Sequence, residues 1–273
     1  MQDRRIRPCA VCGSFYEGNA AGLRKEVDGL LAESHSAPVA GVRGIVAPHA
    51  GYMYSGRTAA LVYSVLAGSS YDSVVIVSPS HRDRFSGVSA YDGDGYATPL
   101  GVIPVDAALR DLLVRPPSPV VLSSLGHRGE HAVEVQLPFL QRVLGDFSFV
   151  PLVMGDQEPA TCFALGETLG RALAGKNALL VASTDLSHFL SRQQARGLDS
   201  VVMEAVGKFD PEGLMEDLEK GTGEACGGGP TVAVMTALKI LGARAMRVAH
   251  YATSGDVNGD DNRVVGYMSA IAT

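Results

Sequence analysis

Apolar residues along the chain fall into two rhythms. Four short runs, 42–47 (VRGIVA), 73–78 (SVVIVS), 147–153 (FSFVPLV) and 178–183 (ALLVAS), are almost continuously apolar. Runs of that length, rich in β-branched residues, predict strands covered on both faces and so the centre of a sheet. Segments 57–67, 106–114, 131–144, 160–174, 193–207 and 231–241 instead space their apolar residues as helices do. Pro138 is expected to kink or shorten the third of these, because proline lacks the N–H that a helix interior uses. The C-terminal runs 245–253 and 263–272 alternate more and predict edge or antiparallel strands. A strand, a loop and a helix in repeated succession is the α/β signature. The expected architecture is therefore a three-layer α/β fold with a mostly parallel central sheet flanked by helices.

Neither an internal repeat nor a low-complexity linker divides the chain. The most proline-rich stretch, RPPSP at 115–119, is only a loop's length. One domain spanning 1–273 is the expectation. A composition of 46% hydrophobic and 19% charged residues belongs to the soluble globular range. The opening MQDRRIRPCAVCG carries no apolar stretch of signal-peptide length, and no later run approaches the roughly 18 residues of a spanning helix. These features predict a cytoplasmic protein without a membrane partner. The net charge is −6 and the 23 Lys and Arg residues are dispersed. That excludes the basic stripe with which proteins neutralise nucleic-acid backbones.

The four cysteines are too few for a disulfide framework, and a cytosolic setting would keep them reduced. Cys162 lies in an apolar helical pattern and is expected in the core. Cys9 and Cys12 have the C-x-x-C spacing of a redox or metal pair, but no second pair and no redox-fold context accompanies them.

Ligands of open α/β sheets bind outside the carboxyl ends of the strands. The loops there read Ala47-Pro48-His49-Ala50-Gly51-Tyr52, Ser78-Pro79-Ser80-His81 and Ser183-Thr184-Asp185-Leu186-Ser187-His188. A single loop histidine is more often a structural hydrogen-bonder than a ligand; three in equivalent positions favour a metal site. A further donor is offered by Glu224-Ala225-Cys226-Gly227-Gly228-Gly229-Pro230. Its glycines permit close backbone approach, and Pro230 suits a helix start, where the dipole favours a thiolate. The alternative is a glycine-rich turn with an incidental cysteine. Asp185 and His188 have a spacing that permits proton transfer between a carboxylate and an imidazole, although Asp185 could equally cap a short helix. His131 follows Glu130 at a predicted helix start, with Glu134 one turn further on the same side. It could face the pocket as an acid/base group, while Glu130 could simply cap the helix. The H-E-x-x-H spacing of zinc peptidases is absent.

These residues sit in blocks that resemble the Memo family. The blocks are GSFYEG at 13–18, APHAGYMYSG at 47–56, PSH at 79–81, TPLG at 98–101, EHAVEVQLPFL at 130–140, STDLSH at 183–188 and ACGGGP at 225–230, in that order. The resemblance implies a fold similar to the class III extradiol dioxygenases, which are non-haem iron enzymes. Carried over by position, it places metal ligands at His49, His81 and Cys226 and a pocket acid/base pair at Asp185 and His188. His131 and Tyr54 fall at pocket-lining positions. Prokaryotic relatives are labelled protein B of a three-part system with a radical-SAM member (AmmeMemoRadiSam), which implies a functional link to such a protein. Eukaryotic relatives are described as motility regulators that bind iron or copper and take phosphotyrosine peptides in the same pocket.

The similar dioxygenases complete their metal site with a carboxylate, whereas the matching ligand here is a thiolate. That softens the site toward Cu(I) or Zn(II) and makes a ligand oxidisable. Three readings follow: a metal-dependent oxidoreductase with Fe(II), or alternatively copper or zinc, and a small-molecule or peptide ligand in the metal pocket; a non-catalytic metal- or peptide-binding regulator using that pocket; and a metal-free thiol hydrolase with Cys226 as nucleophile.

Overall fold

The computed structural model describes residues 4–273. The four apolar runs form adjacent parallel strands. Gly44–Ala47 pairs with Ala178–Ser183, which pairs with Ser73–Pro79, which pairs with Phe149–Met154. Beyond this parallel centre the nine-stranded sheet is mixed. On one flank Val264–Ala272 runs antiparallel to Gly44–Ala47 and also pairs with Met246–Thr253 and His188–Leu190. On the other, Val88–Tyr91 runs antiparallel to Phe149–Met154 and parallel to Val120–Ser123. The expectation of a mostly parallel sheet thus holds for the centre, while both flanks add antiparallel pairs.

Strand side chains alternate between two cores, because successive residues of a strand point to opposite faces. Val46, Val75, Val77, Leu180 and Ala182 join one core with the helices Pro159–Ala172 and Gly228–Ile240. Ile45, Val74, Ile76, Leu179 and Val181 join the other with the helices Ala20–Glu33, Tyr52–Ser64 and Leu137–Leu144. Helices on both faces of one sheet give the three layers expected. Cys162 lies buried in the first core, as its helical pattern predicts. No helix of the described residues is long and apolar enough to cross a membrane.

Two departures bear on the site. The predicted helix over 131–144 is split: a 3-10 turn covers Glu134–Gln136 and the α-helix runs only from Leu137 to Leu144. Of the two outcomes expected of Pro138, the helix is shortened and not kinked: Pro138 stands in its first turn, which has no use for the missing N–H. His131 therefore sits in the turn ahead of a helix. A small second sheet of Ile6–Arg7, Gly95–Thr98 and Gly101–Pro104 holds the N-terminal segment in place. Arg7 is buried there: it donates to the carbonyls of His127 and Glu130 and pairs with the Glu134 carboxylate at 2.5 Å.

Candidate metal centre

Parallel strands end level with one another, so the loops that leave them are neighbours. His49 lies two residues past Gly44–Ala47, His81 two past Ser73–Pro79, and Asp185 two past Ala178–Ser183, which runs between those strands. The Cys226 loop comes in from the start of the Gly228–Ile240 helix. Its approach depends on Gly227, where a Cβ would overlap the Ser183 carbonyl oxygen. Backbone bonds finish the join: Cys226 N–H donates to the Asp185 carbonyl at 3.1 Å, and Asp185 N–H donates to Cys226 Sγ at 3.3 Å.

His49, His81 and Cys226 accordingly offer donor atoms that all lie within 4.8 Å of one another. Cys226 Sγ is 3.1 Å from His49 Nε2. Two donors on one tetrahedral ion, at the usual Zn–N and Zn–S lengths, stand about 3.5 Å apart, so this pair is already close to ligand spacing. The proton positions fit as well. Gln136 Nε2 donates to Ser183 Oγ, which gives its single proton to the Ala132 carbonyl at 2.7 Å. The remaining contact, His49 Nδ1 to Ser183 Oγ at 2.9 Å, must then be donated by the imidazole. This leaves the Nε2 lone pair of His49 directed at the sulfur.

Glu130 does the same for His81, whose Nδ1 lies 2.9 Å from Glu130 Oε1. His81, Glu130 and His131 also meet the spacing of a metal-binding group. However, the two Glu130 oxygens already accept from the N–H groups of His81, His131 and Ala132 as well as from His81 Nδ1. Glu130 thus orients imidazoles rather than offering a free lone pair. His131 Nδ1 stands 3.3 Å from the same oxygen, and its ring packs 4.7 Å from His81 and 5.4 Å from His49 between centroids.

Burial opposes charge at this centre. Burial and the neighbouring His81 pull His49 down to about 3. Burial and His49 pull His131 down to about 4, despite Glu130. Burial alone would raise the Glu130 carboxyl, but hydrogen bonds from His81 and Ala132 outweigh it and hold it at about 2. Burial raises Asp185, while burial and Asp185 together push the Cys226 thiol well up. The thiolate expected at the helix start is therefore not favoured by its own surroundings. A divalent cation, which lowers the pKa of a coordinating thiol, would reverse that balance.

The family model described as Memo-like protein matches residues 7–271, which include every residue of this centre. The chain belongs to the Memo family. It is 39% identical to a MEMO1 family protein of Methanosarcina mazei over 97% of this chain and 98% of that one. The MEMO1 family protein of Methanopyrus kandleri is 37% identical, with the same coverage of both chains. That of Aquifex aeolicus is 35% identical, covering 98% of this chain and 99% of its own. The crystal structure of an uncharacterized Escherichia coli K12 protein shares the fold, with a TM-score of 0.50 and 16% identity over 85% of this chain and 99% of that one.

Not every residue expected in the pocket of this Memo-family chain is placed as expected. The Asp185 carboxylate accepts from His49 N–H at 2.8 Å and makes no hydrogen bond to His188. His188 instead sits at an edge strand beside Glu224, which accepts its N–H at 3.0 Å and lies 3.9 Å from its Nδ1. Glu134 turns away from the histidines, to Arg7, Tyr16 Oη and the N–H groups of Ala10 and Val11. Tyr54 is half-buried and lines a cavity of about 740 Å³ with Arg57, Thr58, His250 and Tyr251. The roles of Arg7, Ser183 and Gln136 were missed: Ser183 and Gln136 lie inside the family-like blocks, but each of the three acts through a partner distant along the chain.

Cys9 and Cys12, expected as reduced thiols, are joined in a disulfide.

Proposed function

We propose that the chain binds one iron or copper ion through His49, His81 and Cys226, and that this mononuclear His2Cys centre serves a dioxygenase-like oxidoreductase reaction. The observation that carries the reading is the convergence of His49 Nε2 on Cys226 Sγ at 3.1 Å, with the opposite imidazole nitrogen tied to Ser183. Two imidazoles and a thiol are a donor set for Fe, Cu or Zn, and three protein donors leave coordination positions for a ligand. When bound, a redox-active ion would supply one-electron chemistry and Lewis-acid polarisation of an oxygen-containing ligand.

The chain's own groups would orient and protonate. Glu130 sets the rings of His81 and His131 from one carboxylate. His131, held neutral down to about 4, can accept a proton from a ligand at the centre. His188, with Glu224 beside it and about a third of its side chain exposed, stands where a proton can be exchanged with solvent. A small molecule or a peptide side chain would enter from this open side, where His81 is also exposed. The raised thiol argues against a metal-free nucleophilic role for Cys226, which requires a thiolate.

Dioxygen uptake by iron- or copper-loaded protein, with a panel of catechol, thiol and peptide ligands, tests the reaction. Ligand-dependent uptake that Cys226→Ala abolishes supports the reading. Uptake no greater than that of the free ion in buffer, for every ligand, contradicts it.

A further inference from the structure

The Cys9–Cys12 pair lies outside the donor cluster but is tied to it through a turn. Cys12 bridges to Tyr16 at the base of that turn, which closes with Gly13 N–H on the Tyr16 carbonyl at 2.8 Å and Phe15 N–H on the Val11 carbonyl at 2.9 Å. Gly13 has φ +79°, a conformation that side chains rarely adopt. The tip carries Phe15, whose ring packs 4.9 Å from that of His131 and whose carbonyl accepts Tyr52 N–H at 2.7 Å. Tyr52 opens the helix that follows the His49 loop. One turn therefore touches two of the loops that build the centre.

Both cysteines are partly exposed, so external thiols can reach them. Between them, the N–H groups of Ala10 and Val11 hold the buried Glu134 carboxylate at 2.7 and 3.0 Å. This anchor does not involve either sulfur and survives reduction. What reduction removes is the covalent tie between Cys9, just after the Ile6–Arg7 strand, and the base of the Phe15 turn.

We infer that Cys9 and Cys12 form a reversible thiol–disulfide exchange site whose state sets how firmly the Phe15 turn is held against His131 and the start of the Tyr52–Ser64 helix. The partner is an external dithiol/disulfide couple. A thiolate of the dithiol attacks one sulfur of the pair; the other leaves as a thiolate and takes a proton. The second thiol of the partner then displaces the first cysteine and completes the partner's own disulfide. Two electrons and two protons pass from the partner to Cys9 and Cys12, and oxidation is the reverse. Neither step involves the metal.

The test is a titration of the full chain with reduced and oxidised dithiothreitol, read by alkylation with peptide mapping and by amide hydrogen exchange. The peptide holding Cys9 and Cys12 should gain two alkyl groups across a single two-electron transition. The Tyr52 amide, bonded to Phe15, should exchange about three- to tenfold faster in the reduced state, as fits the loosening of one hydrogen bond. A Cys9→Ser/Cys12→Ser chain should show the faster exchange under both conditions. A pair that stays unlabelled in excess reductant, or labelled in excess oxidant, overturns the exchange site. A clean transition with unchanged Tyr52 protection overturns the coupling. Neither readout depends on bound metal, so the outcome stands apart from the fate of the proposed centre.

Discussion

His49 Nε2 and Cys226 Sγ lie 3.1 Å apart although 177 positions separate them in the chain. The contact is held from both sides: Ser183 takes the far nitrogen of the imidazole, and the backbone of Asp185 pairs with that of Cys226. A donor pair set in this way needs little rearrangement to take an ion, and its supporting groups become targets for mutation.

The most informative of these is Glu130. Its carboxylate fixes the ring of His81 and bonds three backbone N–H groups around it. Glu130→Gln keeps the shape but puts an amide where two acceptors are needed. Metal affinity is expected to fall about 10- to 100-fold, as when an outer partner of a ligand is lost. Competition with a chromophoric chelator measures this, and an unchanged affinity would show that His81 does not depend on Glu130.

Arg7 has the largest expected effect on stability. It is buried, and so is its partner Glu134. Arg7→Ala leaves that carboxylate without its cation and frees the carbonyls of His127 and Glu130. A loss of about 3–5 kcal/mol is expected, the cost of breaking a buried pair from one side. Urea denaturation reads it directly. A loss under about 1 kcal/mol, typical of an exposed pair, would contradict the assignment.

Acid should destabilise the chain in a defined window through His127. Burial pulls this imidazole from 6.5 to about 3, against a hydrogen bond to Ser89. The folded value lies below the unfolded one, so the unfolded chain binds the extra proton. The stability from this group is fully present above about 6.5 and is lost as pH falls toward about 3, at up to about 1.4 kcal/mol per unit. Stability measured from pH 7 to pH 4 should fall less steeply in His127→Gln than in the wild type. Equal slopes would mean that His127 does not titrate there.

His188 separates binding from turnover. It is placed beside Glu224 rather than among the three donors. His188→Ala is expected to leave metal affinity within about threefold of the wild type, while removing any ligand-dependent dioxygen uptake, if proton transfer is its role. A large loss of metal from this variant would make it a ligand instead.

The fold was most legible where burial on both faces leaves no choice of residue. The runs 73–78 and 178–183 could only be interior strands, and they became Ser73–Pro79 and Ala178–Ser183. The start of the Tyr52–Ser64 helix was missed by five residues, because Gly51 before it makes no side-chain cap to mark it. At the site, His49, His81 and Cys226 were legible only together, because histidines in equivalent strand-end loops and a cysteine just ahead of a helix make up a donor set that no one of them indicates alone. Arg7 and Glu134 were not: a charged residue looks the same in sequence whether it is solvated or paired across 127 positions. The orientation of Glu134 failed for that reason, since the helix assumed to place it begins only at Leu137.

Elemental analysis of anaerobically purified chain, loaded in turn with Fe(II), Cu(I) and Zn(II), tests the central claim most directly. The wild type is expected to retain about one ion per chain, and His49→Ala and Cys226→Ala to lose it, while Cys162→Ser, altered in the buried core, keeps it. Equal retention in all four proteins, or no stoichiometric metal in the wild type under any loading, would contradict the His49–His81–Cys226 centre.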